Sequence, residues 1–217
     1  KLRKYNSEKK TDLKITEEQK KIIRKIKKEG CYIIENFMNK ETCEKIISLI
    51  NSTINDFPGK ICEDELKSDQ RINGSEKLSL EIKNYFNSSF IQNIGELYSG
   101  IKIKIGFTMA NKLKSVKNNL GSGGGWHKDA YYSQFKSILY LTDVNYENGA
   151  FQFLQNSNNI FNSMLISLKL NKGYPHTRFS NEEIELLKKF KIKTLNASAG
   201  TLILVDTSLI HRGCPIL

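Results

Sequence analysis

The sequence has little of what marks several protein classes. It contains three prolines and no low-complexity tract, while 39% of its residues are hydrophobic, which excludes an intrinsically disordered chain. Its longest apolar runs, such as residues 202–205, fall far short of the roughly 20 residues that a membrane-spanning helix needs. Its four cysteines are scattered, without a C-x-x-C pair, so we expect reduced thiols and a cytoplasmic protein.

The length of 217 residues is sufficient for one domain with a substantial hydrophobic core. No internal repeat or linker divides the chain. We therefore predict a basic N-terminal tail over residues 1–15 and a single domain over residues 16–217. Within that domain we expect N-terminal helices over about 16–98 and a β core over about 101–217.

The positive charge is concentrated at one end of the chain. The formal net charge is +11, but residues 1–28 hold twelve basic and four acidic side chains and so account for most of it. Lysine outnumbers arginine 29 to 5, whereas arginine is favoured where phosphate is bound. The charge therefore argues against nucleic acid as the main partner, and a solvated helix face explains it as well.

Helix signals dominate the first half of the sequence. Thr16 and Gln19 have the spacing of a capping box, and Gly30 follows as a C-cap, which predicts a helix between them. Apolar residues at helical spacing predict a second helix from about Lys40 to Ile54. A short β-rich run, Cys31–Ile34, lies between the two. Further helical stretches are predicted near 76–86, 89–98 and 180–190.

Strand signals dominate the second half. Apolar and polar residues alternate from Ile101 to Phe107, which is typical of a half-buried strand. Asn148-Gly149 predicts a hairpin between residues 140–144 and 151–154. Other strands are predicted at 126–131, 135–143, 150–154, 191–196, 201–206 and 209–212. This order of elements predicts an α+β fold with a sandwich or jelly-roll core.

Three residues form a candidate metal site. His127 and Asp129 are two positions apart, so on a strand their side chains point to the same face. His211 follows a long β-rich run and could reach the same point from a neighbouring antiparallel strand. Two histidines and one carboxylate form the facial triad of non-haem Fe(II) oxygenases, which leaves coordination positions open.

The sequence resembles the phytanoyl-CoA dioxygenase family from about residue 17 onward. The resemblance is carried by Trp126-His127-Lys128-Asp129, by His211-Arg212-Gly213-Cys214-Pro215, and by residues 30–37, 140–144, 147–153 and 200–206. It implies a double-stranded β-helix (cupin-like) fold, Fe(II) as the metal, and 2-oxoglutarate consumed with O2 to give succinate and CO2. It implies hydroxylation of a small organic substrate and leaves both that substrate and the oligomeric state open.

The resemblance also implies roles for individual residues. His127, Asp129 and His211 would be the iron ligands, and the presence of Asp129 favours hydroxylation over halogenation. Met109, Asn111 and Tyr140 resemble positions that line the 2-oxoglutarate pocket. Lys136 could face a carboxylate of the site or be solvated, and both possibilities stay open.

One departure from the family pattern affects these implications. The family binds the far carboxylate of 2-oxoglutarate with an arginine about ten residues beyond the distal histidine, whereas the sequence ends at Leu217. We expect the natural protein to continue past that residue; the alternative is that another basic residue takes the place of this arginine. Two alternatives follow from the departure and from the basic N-terminal segment: an inactive β-helix that serves as a binding or regulatory module, and an oxygenase that acts on nucleic acid or peptide.

Overall fold

The computed structural model describes residues 15–102 and 106–216. The described residues form six α-helices: α1 Glu17–Glu29, α2 Lys40–Asp56, α3 Leu80–Phe86, α4 Ser89–Ser99, α5 Ile160–Leu170 and α6 Asn181–Leu186. They also form eleven strands: β1 Cys31–Ile34, β2 Cys62–Glu63, β3 Asp69–Asn73, β4 Met109–Leu113, β5 Trp126–His127, β6 Phe135–Leu139, β7 Phe151–Leu154, β8 Arg178–Phe179, β9 Ile192–Leu195, β10 Leu202–Asp206 and β11 His211–Gly213.

The first helix begins and ends where the capping pattern predicts. The Thr16 side chain accepts a hydrogen bond from the Gln19 amide at 3.2 Å, and the Gln19 side chain accepts one from the Thr16 amide at 3.0 Å. Gly30 ends the helix at φ +92°, a conformation that favours glycine. Ile22 and Ile26 are fully buried, so this face of α1 packs on the sheet below it. Of the predicted tail, residues 1–14 lie outside the described residues.

The strands assemble into three antiparallel sheets. One has the order β1-β10-β6, a second has the order β8-β5-β11-β7-β9, and a third has the order β2-β3-β4. The side chains of Phe153, Ile203 and Leu209 are fully buried in one cluster that includes residues from the first two sheets. The chain is thus a mixed helix and sheet protein, as predicted.

The predictions about the sheets hold in one place and fail in others. β1 forms at Cys31–Ile34, where a β-rich run was predicted, and pairs with β10. β2 and β3 were not predicted, and they lie within residues 16–98, where helices were expected. Of the strand predicted over 101–107, residues 103–105 lie outside the described residues and the other four are not in a strand; β4 begins at Met109. The predicted hairpin does not form, because β6 pairs with β10 while β7 pairs with β11 and β9. Asn148-Gly149 makes a turn, but the chain crosses between two sheets there.

Helix α5 has no counterpart in the predictions. Asn159 caps its N-terminus by accepting from the amides of Phe161 and Asn162. Ile166 is buried, and it packs in a cluster with Trp126 and Leu154. The opposite side of the helix is exposed and apolar, and consists of Ile160, Phe161, Met164, Leu165 and Leu168.

Candidate active site

Two neighbouring strands bring the predicted metal ligands together. β5 pairs with β11, and in this pairing His127 lies directly opposite His211, so both imidazoles lie on the same face of the sheet. Asp129 follows β5, and its amide donates to the Thr207 carbonyl at 3.0 Å. One ligand atom from each of the three residues lies within 4.8 Å of the others. Among the described residues this is the one group of at least three His, Cys, Asp or Glu side chains with that geometry.

Both histidines are oriented by backbone carbonyls. Nδ1 of His127 lies 2.8 Å from the Gly125 carbonyl, and Nδ1 of His211 lies 2.9 Å from the Leu209 carbonyl. A carbonyl only accepts hydrogen bonds, so the proton of each neutral imidazole is on Nδ1. The Nε2 lone pairs then face the common point between the three side chains, which is the orientation that a metal ligand requires.

Asp129 is held by a cation. Lys136 Nζ donates to Asp129 Oδ2 at 2.7 Å, which decides between the two possibilities that the sequence left open for this lysine. Burial on its own would raise the pKa of Asp129, but the neighbouring His127 and the ammonium of Lys136 outweigh it and hold that pKa well below its usual range. The carboxylate is therefore ionised at neutral pH.

His211 lies in a largely apolar environment. Its ring stacks on Phe151 at a centroid distance of 5.2 Å and lies 4.3 Å from the ring of His127. Burial lowers its pKa to about 4, with a further contribution from His127. A neutral imidazole at pH 7 keeps its lone pair available.

A glycine-rich loop covers one side of the imidazole of His127. A Cβ on Gly123 would lie 2.2 Å from Cε1 of His127, so glycine is required there for the close approach. Ser122 fixes the loop from the other side by donating to Asp69 Oδ2 at 2.8 Å. Asp69 is buried and also accepts from Arg71. The loop therefore connects β3 to the metal ligands.

The residues predicted to line the 2-oxoglutarate pocket lie in two places. Met109 and Asn111 are on β4, where Asn111 donates to Asp69 Oδ1 at 3.1 Å and thus lies near the glycine-rich loop. Tyr140 is buried behind β7; its hydroxyl donates to the Leu195 carbonyl at 3.2 Å and accepts from the Phe151 amide at 2.8 Å. Tyr140 therefore supports the strand that carries Phe151.

Two side chains near the ligands were not among the predicted site residues. Arg178 lies opposite His127 on β8, an element that the sequence did not predict. Lys128 lies between two of the ligands but on the other face, where its buried ammonium donates to Ser163 Oγ at 2.8 Å and to the Ser157 carbonyl at 3.2 Å. The alternation of side chains along a strand could have predicted the direction of Lys128.

The family of this chain follows from its sequence. The sequence matches the profile of the phytanoyl-CoA dioxygenase (PhyH) family over residues 26–216. The chain belongs to the phytanoyl-CoA dioxygenase family. Membership confirms the enzyme class predicted from the sequence, a non-haem Fe(II)/2-oxoglutarate-dependent oxygenase. No curated protein matches the chain.

Solved structures of similar fold agree with the family. The epimerase SnoN, in complex with Fe3+, alpha ketoglutarate and nogalamycin RO, has a TM-score of 0.66 at 12% identity, covering 91% of this chain and 77% of its own. HygX from Streptomyces hygroscopicus, with nickel and 2-oxoglutarate bound, has a TM-score of 0.62 at 12% identity, covering 93% and 82%. EctD from S. alaskensis, with bound Fe, has a TM-score of 0.62 at 15% identity, covering 97% and 75%. At identities of 12–15%, these similarities show that the PhyH chain has the same fold as these proteins.

Among the described residues, none of the helices combines the length and the apolar composition that crossing a bilayer requires.

Proposed function

We propose that this PhyH protein binds Fe(II) through His127, Asp129 and His211 and hydroxylates a small organic substrate, with decarboxylation of 2-oxoglutarate to succinate. The observation that carries the proposal is the pairing of β5 with β11, which aims two imidazoles and one carboxylate at a single point. We also propose that the sheets β1-β10-β6 and β8-β5-β11-β7-β9 correspond to a double-stranded β-helix and that residues 16–217 are one domain.

The chemistry of the donor set fits a divalent iron ion. Both imidazoles present Nε2 lone pairs, because their Nδ1 atoms are engaged by carbonyls. Asp129 is ionised, and the low pKa of His211 keeps that ring neutral at pH 7. Asp129 and His211 are thus in the protonation states that metal binding needs, and two nitrogens with one carboxylate oxygen are a typical Fe(II) set.

Bound iron with 2-oxoglutarate and O2 supplies the oxidising chemistry, and the protein supplies orientation and exclusion of water. The carbonyls of Gly125 and Leu209 fix the planes of the two imidazoles. Lys136 holds Oδ2 of Asp129, which leaves Oδ1 as the less constrained carboxylate oxygen. Phe151 and the neighbouring apolar cluster shield His211 from water on one side.

We assign the 2-oxoglutarate pocket to the space between β4 and the glycine-rich loop. Asn111 and Met109 lie on the same face of β4, two positions apart, and Asp69 connects Asn111 to the loop through Ser122. Tyr140 contributes as a buried support of β7, since its hydroxyl is already bonded to the backbone.

The test is anaerobic Fe(II) binding followed by succinate production from 2-oxoglutarate on admission of O2. We expect His127→Ala to abolish iron binding, because it removes one of three ligands. For the iron-binding step His176→Ala is the matched control, since the third histidine of the chain lies outside the ligand group. Full iron affinity in His127→Ala would refute the triad. A wild-type protein that binds iron and 2-oxoglutarate without forming succinate would instead be a binding module.

A further inference from the structure

Arg178 lies beside the proposed metal ligands in the sheet. β8 pairs with β5 so that Arg178 is directly opposite His127, and His127 is in turn opposite His211 on β11. Directly paired residues on antiparallel strands point to the same face. The guanidinium therefore shares the face that carries both imidazoles, one strand further toward the sheet edge.

The guanidinium is positioned but has no counter-ion. Its Nη1 donates to the carbonyls of Gly123 and Gly124, the second at 3.3 Å, so the glycine-rich loop holds it in place. No carboxylate of the described residues forms a salt bridge with it. An arginine has five N–H donors in a planar fork, and those on Nε and Nη2 have no partner within the described part of the chain. Such a fork suits a carboxylate or phosphate oxygen pair.

A cavity of about 380 Å³ lies next to this side chain. Its lining includes Arg178, Lys172, His176 and Gly124, and also Trp126 and Phe179, which pair with each other on the other face of the sheet. Lys172 is neutralised by a salt bridge to Glu183, which also lines the cavity. The unbalanced positive charge of the cavity is therefore that of Arg178.

The glycine-rich loop separates this cavity from the pocket assigned to 2-oxoglutarate. Ser122 is bonded to Asp69 on the side of β3 and β4, whereas Gly123 and Gly124 are bonded to Arg178 on the side of β8. An anion held by Arg178 would thus approach His127 from a different side than a ligand held by Asn111.

We propose that Arg178 and this cavity form the subsite for an anionic group, a carboxylate or a phosphate, of the primary substrate. This inference rests on the proposed function, since it places the anion at Arg178, one strand away from the ligand His127, in a cavity that the three ligands do not line. It narrows the substrate to acids and phosphorylated or phosphonate-bearing small molecules, and it makes Arg178 the residue that determines this specificity.

The test uses the protein loaded with Ni(II) and 2-oxoglutarate, titrated calorimetrically with propionate, with methylphosphonate and with the neutral analogue propionamide. Nickel replaces Fe(II) so that O2 does not react during the titration. We expect at least one anion to bind at least tenfold more tightly than propionamide, and the tighter of the two shows whether carboxylate or phosphate is preferred. Arg178→Met should weaken anion binding at least tenfold, because it removes the charge and the fork.

Two further variants keep the result interpretable. Arg178→Lys retains the positive charge without the planar fork of donors, so it should bind the anion with intermediate affinity. Its ammonium can still donate to the glycine-rich loop, so this variant remains usable if Arg178→Met unfolds. Lys188→Met is the control for loss of a cation outside the cavity, and it should bind like the wild type. The dissociation constant of 2-oxoglutarate should be unchanged in all three variants.

Equal anion affinity in the wild type and Arg178→Met would overturn the proposal, and so would anions that bind the wild type no better than propionamide does. A parallel loss of 2-oxoglutarate affinity in Arg178→Met would also overturn it, since Arg178 would then serve the cosubstrate. Failure of the wild type to bind Ni(II) would refute the proposed function instead, and an anion titration of the metal-free protein would still report on Arg178.

Discussion

Substituting Gly123 by alanine tests the metal site without touching a proposed ligand. The new methyl group would lie 2.2 Å from Cε1 and 3.0 Å from Nε2 of His127. An ordinary contact needs about 3.4 Å, so the ring or the loop must move by about 1.2 Å. Misplacements of about 1 Å at a reactive centre cost on the order of 100-fold, and disturbed support of metal ligands costs about 10–100-fold in affinity.

We therefore expect Gly123→Ala to bind a divalent metal 10–100-fold more weakly than the wild type. The measurement is a titration with Co(II) in competition with a chelating dye. Gly124→Ala is the matched control, since its methyl group would meet only Arg178 Nη1, at 3.5 Å. Both glycines have positive φ, +88° and +68°, so both variants lose about 1–2 kcal/mol of stability through backbone strain.

The comparison of the two variants separates strain from the contact with His127. Similar melting temperatures with a selective loss of metal affinity in Gly123→Ala would support the reasoning. Equal metal affinity in both variants would refute it, because the loop would then not restrict the imidazole.

Two other predictions concern buried groups. Asp206 is buried and accepts hydrogen bonds from Tyr98 Oη at 2.6 Å, the Gln134 amide at 3.0 Å and the Ser208 amide at 2.9 Å. We therefore expect Asp206→Ala to lower the free energy of unfolding, measured in urea, by about 3–5 kcal/mol. The control is Asp143→Ala at an exposed position, which should lower it by about 1 kcal/mol or less. Burial would raise the pKa of Asp206, but these donors outweigh it and lower that pKa. The stabilisation of the folded state by Asp206 is therefore complete above the ordinary pKa of an aspartate, about 3.9, and is lost as the pH falls through the lower pKa of Asp206 in the folded protein. A difference in the free energy of unfolding between the wild type and Asp206→Ala that stayed constant down to pH 2 would contradict this. In the folded protein only Cys62 should react rapidly with a thiol reagent. The other three cysteines are buried, and burial raises the pKa of Cys31 to about 11. Rapid labelling of the Cys62→Ser variant would contradict this prediction.

Local patterns in the sequence were reliable where a local interaction determines the structure. The capping box at Thr16 and the helical spacing of α2 depend on residues within one or two turns, and both helices form as predicted. The spacing of His127 and Asp129 predicted two side chains near one point, and they do converge, although β5 ends at His127 and Asp129 follows it instead of lying on the predicted strand. The family resemblance predicted that His211 belongs with them, and the structure brings the three together.

Pairing between distant segments could not be inferred in the same way. Asn148-Gly149 is a strong hairpin signal, and Gly149 does adopt φ +99°, yet the strands on either side join different sheets. Competition among all strands decides which pairs form, and no short pattern contains that information. Helix α5 was missed for another reason: its apolar residues lie around most of the helix, so the usual amphipathic period is absent, and only the cap at Asn159 indicated its start.

The register between β5 and β11 also has a consequence for biosynthesis. His127 and His211 face each other in the sheet but are about 80 residues apart in the chain, and ribosomes add about 5–20 residues per second. The nascent chain thus carries His127 and Asp129 for roughly 4 to 17 seconds before the third ligand exists. A cation acquired by the complete triad therefore marks a chain that has been synthesised at least as far as His211, and we expect metal loading to follow the synthesis of β11.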